Sequence, residues 1–543
     1  MNLKIEDNKV FISFQYDPAV VKKVNAEGLG MKWNKKQKVW YATYTKMFIR
    51  SVLKTFPELA IKIASDYPLI YSSVKVIDEY NFPIFLPGYL MDHQKKGVEL
   101  ALKNSRYLFI WDCGTGKTLL AIEIIDLFKK IRKAQKTLIL CPLSILETSW
   151  VDDISSFKPS LRYVNLWRYK KKKTRNKKTY TELMRYYDIA MVNYECFRTI
   201  KNEDLSNIFD TVIFDESAIL KNHKSVTTKK AIEFTDNIDN VFLLSGLPAP
   251  NDELEYWSQV RICDPLLLGS NFYNFRNKYF YGVGYGNFKY VIKEDLKNNF
   301  LYKLSKISNV IKKENVLDLP EFTVSSREVI LSADEEIAYK KMKNNLIIEF
   351  ENTEISVSSK VTMLMKLRQI TSGWCYDEER NIVSIGSSKL DSLAELINEI
   401  GDHQILIWYF FRPEGFQIQK MISEKYNCIP VKCDGTINQN EKIENINLFK
   451  DKKSRILIAN PASIGHGVTL TTCSYIIYYS QSHSLELYEQ SFARTHRKGQ
   501  TRGCNYYHLI AKNTLDSAIY RSLKYKKNLN EEIINYIKDG YYI

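Results

Sequence analysis

The stretch RYLFIWDCGTGKT, residues 106–118, sets an apolar run directly against a glycine-punctuated turn that ends in Lys and Thr. That order is a strand, a tight loop and a helix start. At such a junction backbone N–H groups and the positive end of a helix converge on a phosphate. Gly114 and Gly116 let the backbone approach closely. Lys117 is then the residue that reaches the terminal phosphates, and Thr118 the hydroxyl that ligates Mg²⁺. Asp112 and Thr115 complete the loop as candidate nucleotide contacts. The full phosphate-loop pattern has a glycine at the position of Trp111, and a glycine turn ahead of an ordinary helix would share what remains.

A second stretch narrows the choice. TVIFDESA (211–218) is an apolar strand ending in Asp215 and Glu216. An aspartate there is placed to hold Mg²⁺, and the glutamate to orient or deprotonate an attacking water. Two acids capping the next helix would look the same in isolation. In one chain with GTGKT, the pair predicts nucleotide hydrolysis.

Working outward, RYLFIW, KTLILC, DIAMVN, DTVIFD and NVFLLSG alternate with amphipathic segments, the pattern of a parallel sheet covered by helices. A second series starts at residue 389 with QILIWYF, CIPVKC, RILIAN, SYIIYYS and CNYYHLI. Residues 266–388 read as helical and aromatic. Residues 1–80 read as a small α+β unit, followed by a proline-bearing linker at 81–90. The expected fold is α/β: two RecA-like parallel-sheet lobes (81–265 and 389–543) with a helical insertion at 266–388, preceded by the small domain.

Composition bounds the class. A chain of 543 residues exceeds a single core, and 45% apolar with 26% charged residues is ordinary globular usage. No apolar run is long enough for a membrane span, and the first ten residues lack a signal-peptide core, so a cytoplasmic protein, nuclear if eukaryotic, is expected without membrane contact. Nine scattered cysteines with no CxxC pair speak against a zinc ribbon or a disulfide framework. The net charge of +16 favours a polyanionic partner.

With these motifs in place, residues 86–525 resemble the Swi/Snf-like ATPases of helicase superfamily two. The resemblance is carried by LPGYLMDHQKKGVE, LILCPLSILETSW, MVNYE, DESA, LSGLPAPN, CDGTINQNEKIENINLF, NPASIGHGVTLTTCSYIIYYS and EQSFARTHRKGQT, in family order. It implies ATP and Mg²⁺ as cofactors, and DNA, duplex or forked, gripped through its phosphates by a monomeric motor. It further implies Gln94 as the base contact, Gly465 and Gly467 near the nucleotide, and Arg494 and Arg497 as distant catalytic arginines. Ser144, Asn193, Thr436 and Thr469 become DNA-backbone candidates, each also readable as a strand-to-helix cap. Three departures stand out: Ala218 where the family has His, Leu247 for Thr, and Thr469 for Asn.

The first eighty residues resemble the HARP domain of annealing helicases, through FISFQYDPAVVKKVNAEGLGMKWNKKQKVWYATY. Tyr16, Trp33 and Trp40 beside lysines suit base stacking. So small a domain also needs large rings inside, and Trp33 and Trp40 are expected in its core. The run RYKKKKTRNKK (168–178), with Lys171, Lys172 and Lys173 at its centre, reads equally as a solvated loop and as a DNA contact. The expected activity is an ATP-dependent DNA translocase. A strand-separating or annealing helicase, an RNA-directed ATPase and a catalytically silent DNA-binding scaffold are the alternatives.

Overall fold

The computed structural model describes residues 1–543 except 26–28, 75–84, 132–133, 171–176, 284–288, 352–356, 378, 427, 465–467, 483 and 526–543. The chain divides after Val316 into two compact units.

The first unit opens with four antiparallel strands, β1 (Asn2–Glu6), β2 (Lys9–Ser13), β3 (Lys32–Asn34) and β4 (Val39–Thr43), in the order β1-β2-β4-β3. Alternation in β2 turns Val10 and Ile12 inward, where they meet Val24, Ile49, Val52 and Phe56 from the helices behind. Trp33 is not in this core. It is 45% exposed and packs its ring on Trp40, centroids 5.2 Å apart, while Tyr16 is 81% exposed. Trp40, on the interior strand β4, is partly buried against this core, while Trp33 stands on the edge strand β3. The helix Lys46–Thr55 fastens the module to the rest of the unit. Its Met47 N–H donates to the Asp236 carbonyl at 2.9 Å, Lys46 and Arg50 pair with Asp239, and Lys54 pairs with Asp264.

Seven parallel strands follow: β5 (Arg106–Trp111), β6 (Thr137–Cys141), β7 (Tyr163–Asn165), β8 (Ile189–Asn193), β9 (Thr211–Asp215) and β10 (Asn240–Ser245), then, after a hairpin of β11 (Phe280–Val283) and β12 (Lys289–Ile292), β13 (Ser308–Ile311). The sheet order is β13-β5-β10-β9-β6-β8-β7. Every residue of β5, β6, β8, β9 and β10 is buried, which is why these strands read as unbroken apolar runs. β5 and β9 are separated only by β10, so their carboxyl ends lie about 10 Å apart.

The second unit holds β14 (Phe322–Val329), a hairpin of β15 (Trp374–Tyr376) and β16 (Ile382–Ser384), and then β17 (Ile405–Trp408), β18 (Val431–Cys433), β19 (Ile456–Ala459), β20 (Tyr475–Tyr478) and β21 (Cys504–Ala511). Its six-stranded parallel sheet runs β14-β21-β20-β17-β19-β18. Both parallel sheets expected from the sequence are therefore present.

Within the stretch 266–388, read as a helical insertion, two strands join the parallel sheets. β13 pairs with β5 to complete the first sheet, and β14 pairs with β21 along eight residues to complete the second. β13 is four residues long, and β14 is largely exposed along its length. Neither carries the continuous apolar signature of an interior strand.

His508 on β21 is fully buried, stacked on Tyr478 at 4.5 Å and in hydrogen-bond contact with Gln481. Burial, followed by the nearby Lys524, lowers its pKa to about 3. The folded protein thus refuses a proton that the unfolded chain accepts below about pH 6.5, and stability drains as pH falls from there. The expected slope is about 1.4 kcal/mol per pH unit. His508→Phe should flatten the stability profile between about pH 6.5 and 4.5, measured by urea unfolding at each pH.

Candidate nucleotide-hydrolysis site

The loop after β5 takes the form its residues predicted. Gly116 has φ of +83°, and a Cβ there would stand 2.3 Å from Gln94 Nε2, so only glycine fits between loop and helix. The helix Lys117–Lys130 starts immediately behind it. Thr115 Oγ1 donates to the Asp112 carbonyl at 2.8 Å, folding the loop on itself.

Trp111 explains the departure from the glycine pattern. It is the last residue of β5 and fully buried, edge-on to His93 at 5.1 Å, with its indole N–H donating to Asn309 Oδ1 at 2.8 Å. The side chain fills the space under the loop, and the loop itself begins one residue later.

Two residues of the helix Asp92–Lys103 hold the loop from outside. His93 Nε2 contacts the Thr115 carbonyl at 2.9 Å, and Gln94 Nε2 donates to the Gly116 carbonyl at 3.0 Å. Gln94 Oε1 in turn accepts from the Met91 N–H at 2.9 Å. Gln94 is fully buried and braces the phosphate loop. The Asp112 carboxylate accepts from the Lys313 N–H at 3.1 Å and lies 3.5 Å from Lys312 Nζ, which ties the loop to the chain after β13.

Lys117 is buried, its ammonium donating to the Trp111 carbonyl at 2.8 Å and the Asp112 carbonyl at 3.4 Å. Burial is the largest influence on it and lowers its pKa, but Cys113, Glu216, Asp215 and Asp112 together outweigh burial and leave it raised. The lysine is held charged. Thr118, half-buried, stands one residue on at the helix start.

Asp215 ends β9 and is buried. Its Oδ2 accepts from Trp150 Nε1 at 2.9 Å and its Oδ1 from the Glu216 N–H at 3.0 Å, while Tyr194 donates to its main-chain carbonyl at 2.8 Å. Burial first, then the Glu216 charge, push its pKa well above the usual carboxylate range, against the pull of Lys117. A carboxylate crowded in this way is stabilised by a divalent cation, so these residues fit Mg²⁺. Glu216 sits at φ +51° and ψ +54°, a left-handed conformation that costs a non-glycine residue about 1–3 kcal/mol. Lys117, Asp215 and Glu216 are thus brought together in the first unit.

The nucleic-acid candidates divide differently. Asn193 is buried and its side chain accepts from the Cys196 N–H at 3.1 Å, so it caps the helix Tyr194–Thr199. Ser144 lies in the turn Leu143–Ile145 after β6. Lys171, Lys172 and Lys173 fall outside the described residues, as do Gly465 and Gly467. In the second unit Thr436 is exposed, and its hydroxyl and N–H both bond Asp434 Oδ1. Thr469 is half-buried.

Arg494 and Arg497 follow the helix Leu485–Phe492 rather than lying on it. Arg494 is 7% exposed, Arg497 half-buried, and the Leu470 N–H donates to the Arg494 carbonyl at 2.8 Å, joining this turn to the segment of Thr469. Gln500 organises the turn, donating to the Cys473 and Thr495 carbonyls and accepting from the Thr501 and Arg502 N–H groups. His496 Nε2 contacts the Pro320 carbonyl at 2.9 Å, an orienting contact. Trp150, Tyr194, His93 and Gln500 were not expected from sequence; the partners of the first three lie 21 to 65 positions away along the chain. Among the described residues no cluster of His, Cys, Asp and Glu could hold a metal by itself, and no helix is long and apolar enough to cross a membrane.

The SNF2-related domain model matches residues 93–374, just over half of the chain, and the helicase conserved C-terminal domain matches residues 388–499. The chain belongs to the SNF2-related family. This pairing of domains makes it an enzyme of the helicase-like class. Among curated relatives, the "SWI/SNF-related matrix-associated actin-dependent regulator of chromatin subfamily A-like protein 1" of Drosophila melanogaster is 23% identical, over 82% of this chain and 56% of its own length. The "Putative ATP-dependent helicase/translocase YwqA" of Bacillus subtilis is 23% identical, over 82% and 49%. This SNF2-related chain therefore spans about half the length of those two. "Putative protein p41" of Acyrthosiphon pisum secondary endosymbiont phage 1 is 23% identical, over 78% of this chain and 93% of its own. A solved structure, "Sulfolobus solfataricus SWI2/SNF2 ATPase core in complex with dsDNA", is 23% identical with a TM-score of 0.39, covering 86% of this chain and 96% of that one.

Proposed function

We propose that this chain is an ATP-dependent DNA motor that couples nucleotide hydrolysis to movement along duplex DNA and so remodels DNA structures or protein–DNA complexes. The observation that carries the reading is the meeting of Lys117, Asp215 and Glu216 around one glycine loop. Family membership supports the coupling to nucleic acid, and the net charge of +16 suits a phosphate-backbone partner.

Phosphoryl transfer is chiefly positioning and charge stabilisation. The backbone N–H groups around Gly114 to Lys117 cradle the phosphates of ATP, and Lys117 leaves its two carbonyl partners to neutralise the terminal ones. Thr118 and Asp215 would hold Mg²⁺, which would supply neutralising charge to the phosphates. Glu216 orients the water and accepts its proton. Arg494 and Arg497, from the second unit, supply positive charge to the transferred phosphoryl group, Arg497 as first choice. Ser144, Thr436, Thr469 and the run at 168–178 are proposed to grip the DNA backbone.

The deciding experiment is the ATPase rate of the purified chain with duplex, single-stranded and forked DNA and with RNA, beside triplex displacement to detect movement. Stimulation by duplex with displacement is expected. Stimulation by RNA alone, or hydrolysis indifferent to every nucleic acid, would replace the reading. Replacing Lys171, Lys172 and Lys173 together by alanine is expected to weaken duplex binding equally across sequences. The salt slope should shrink by about 0.9 for each phosphate that is no longer neutralised. Wild-type affinity and slope in that variant would return the run to solvation.

A further inference from the structure

β10 lies between the strand that feeds the phosphate loop and the strand that ends in Asp215. The segment leaving it, Gly246–Leu247–Pro248, passes close to both. A Cβ on Gly246 would stand 3.3 Å from Cys113 Sγ and 3.4 Å from the Trp111 carbonyl, so this chain touches the phosphate loop directly. On the other side, one side chain closes the gap to the acid pair. Gln259, on the helix Tyr256–Cys263, is fully buried. Its Nε2 donates to the Pro248 carbonyl at 2.8 Å, and its Oε1 accepts from the Ser217 hydroxyl at 2.8 Å. Ser217 is itself fully buried and directly follows the strained Glu216.

The two bonds fix the amide in one orientation. Turned over, its oxygen would face the Pro248 carbonyl, two acceptors together. The preceding residue, Ser258, donates to the Leu220 and Lys221 carbonyls, so the same helix holds both ends of the short turn Ser217–Leu220. A closed circuit results, running from the phosphate loop through Gly246 and Pro248 to Gln259, Ser217 and Glu216.

We propose that Gln259 is a positioning residue that couples the phosphate loop and the segment after β10 to the orientation of Glu216. The inference rests on the reading of the chain as a DNA-stimulated ATPase. Gln259 touches no reacting atom. It sets whether the glutamate turn follows changes in the neighbouring segment.

The test uses the full chain with Gln259→Met, which matches the volume and removes both bonds, Ser217→Ala, which removes one, and the double variant. Nucleotide affinity and the unstimulated rate should stay at wild-type values, while DNA-stimulated kcat falls about tenfold. The double variant should be no slower than the slower single one, because all three break the same circuit. If Gln259→Met fails to fold, Ser217→Ala, a loss of one hydroxyl, carries the same comparison. Full stimulation in the variants, or a rise in KM for ATP with stimulated kcat unchanged, overturns the inference alone. A wild-type chain that no nucleic acid stimulates overturns the functional reading, and the inference with it.

Discussion

Lys117→Ala should reduce ATP hydrolysis by about 10³-fold or more while leaving duplex DNA binding largely intact. The ammonium is buried, rests on the Trp111 and Asp112 carbonyls, and is kept protonated by the acids around it. Alanine removes the charge and leaves those acids without it, in a site where burial makes each charge count more than in water. ATP affinity should fall together with kcat, because the same group meets ground-state and transition-state phosphates. Filter binding of DNA and a coupled ATPase assay on one preparation separate the two functions. Stimulated turnover persisting in the purified variant would remove the phosphate loop from the mechanism.

Glu216→Gln should produce a different failure, a loss of about 10²–10⁴-fold in kcat with ATP affinity retained. The amide keeps the size of the side chain and its place in the turn but cannot take a proton. Stability should not change, since the left-handed backbone at φ +51° is kept. Glu216→Gly makes the complementary case. Glycine relieves the conformational penalty, so the chain should be no less stable and yet equally inactive. Thermal unfolding beside single-turnover hydrolysis checks both, and a Gln variant that turns over at the wild-type rate would move the base elsewhere.

The loop Gly114 to Thr118 and the strand-end pair Asp215–Glu216 were legible because both motifs are local. A strand, a turn and a few neighbouring side chains carry the whole signal. Interior strands were legible for a related reason, since burial on both faces writes itself as a continuous apolar run. The edges were not. β13 and β14 expose much of their surface, and their segment reads as helical because long helices surround them. The supports of the site were equally hidden. Trp150 reaches Asp215 across 65 positions and Gln259 reaches Ser217 across 42, so neither has a periodicity to betray it. Trp33 failed in the opposite direction: ring size suggested an interior position, but the residue stands on the edge strand β3.

Trp111 has one more consequence. The residue that stands where the phosphate-loop pattern has glycine is an indole fixed against His93 and Asn309, and its own carbonyl holds the lysine that must swing to the phosphates. The loop therefore carries a built-in optical probe at its hinge. Nucleotide arrival becomes readable as a change in ultraviolet emission, and Trp111→Phe identifies which of the eight tryptophans reports it.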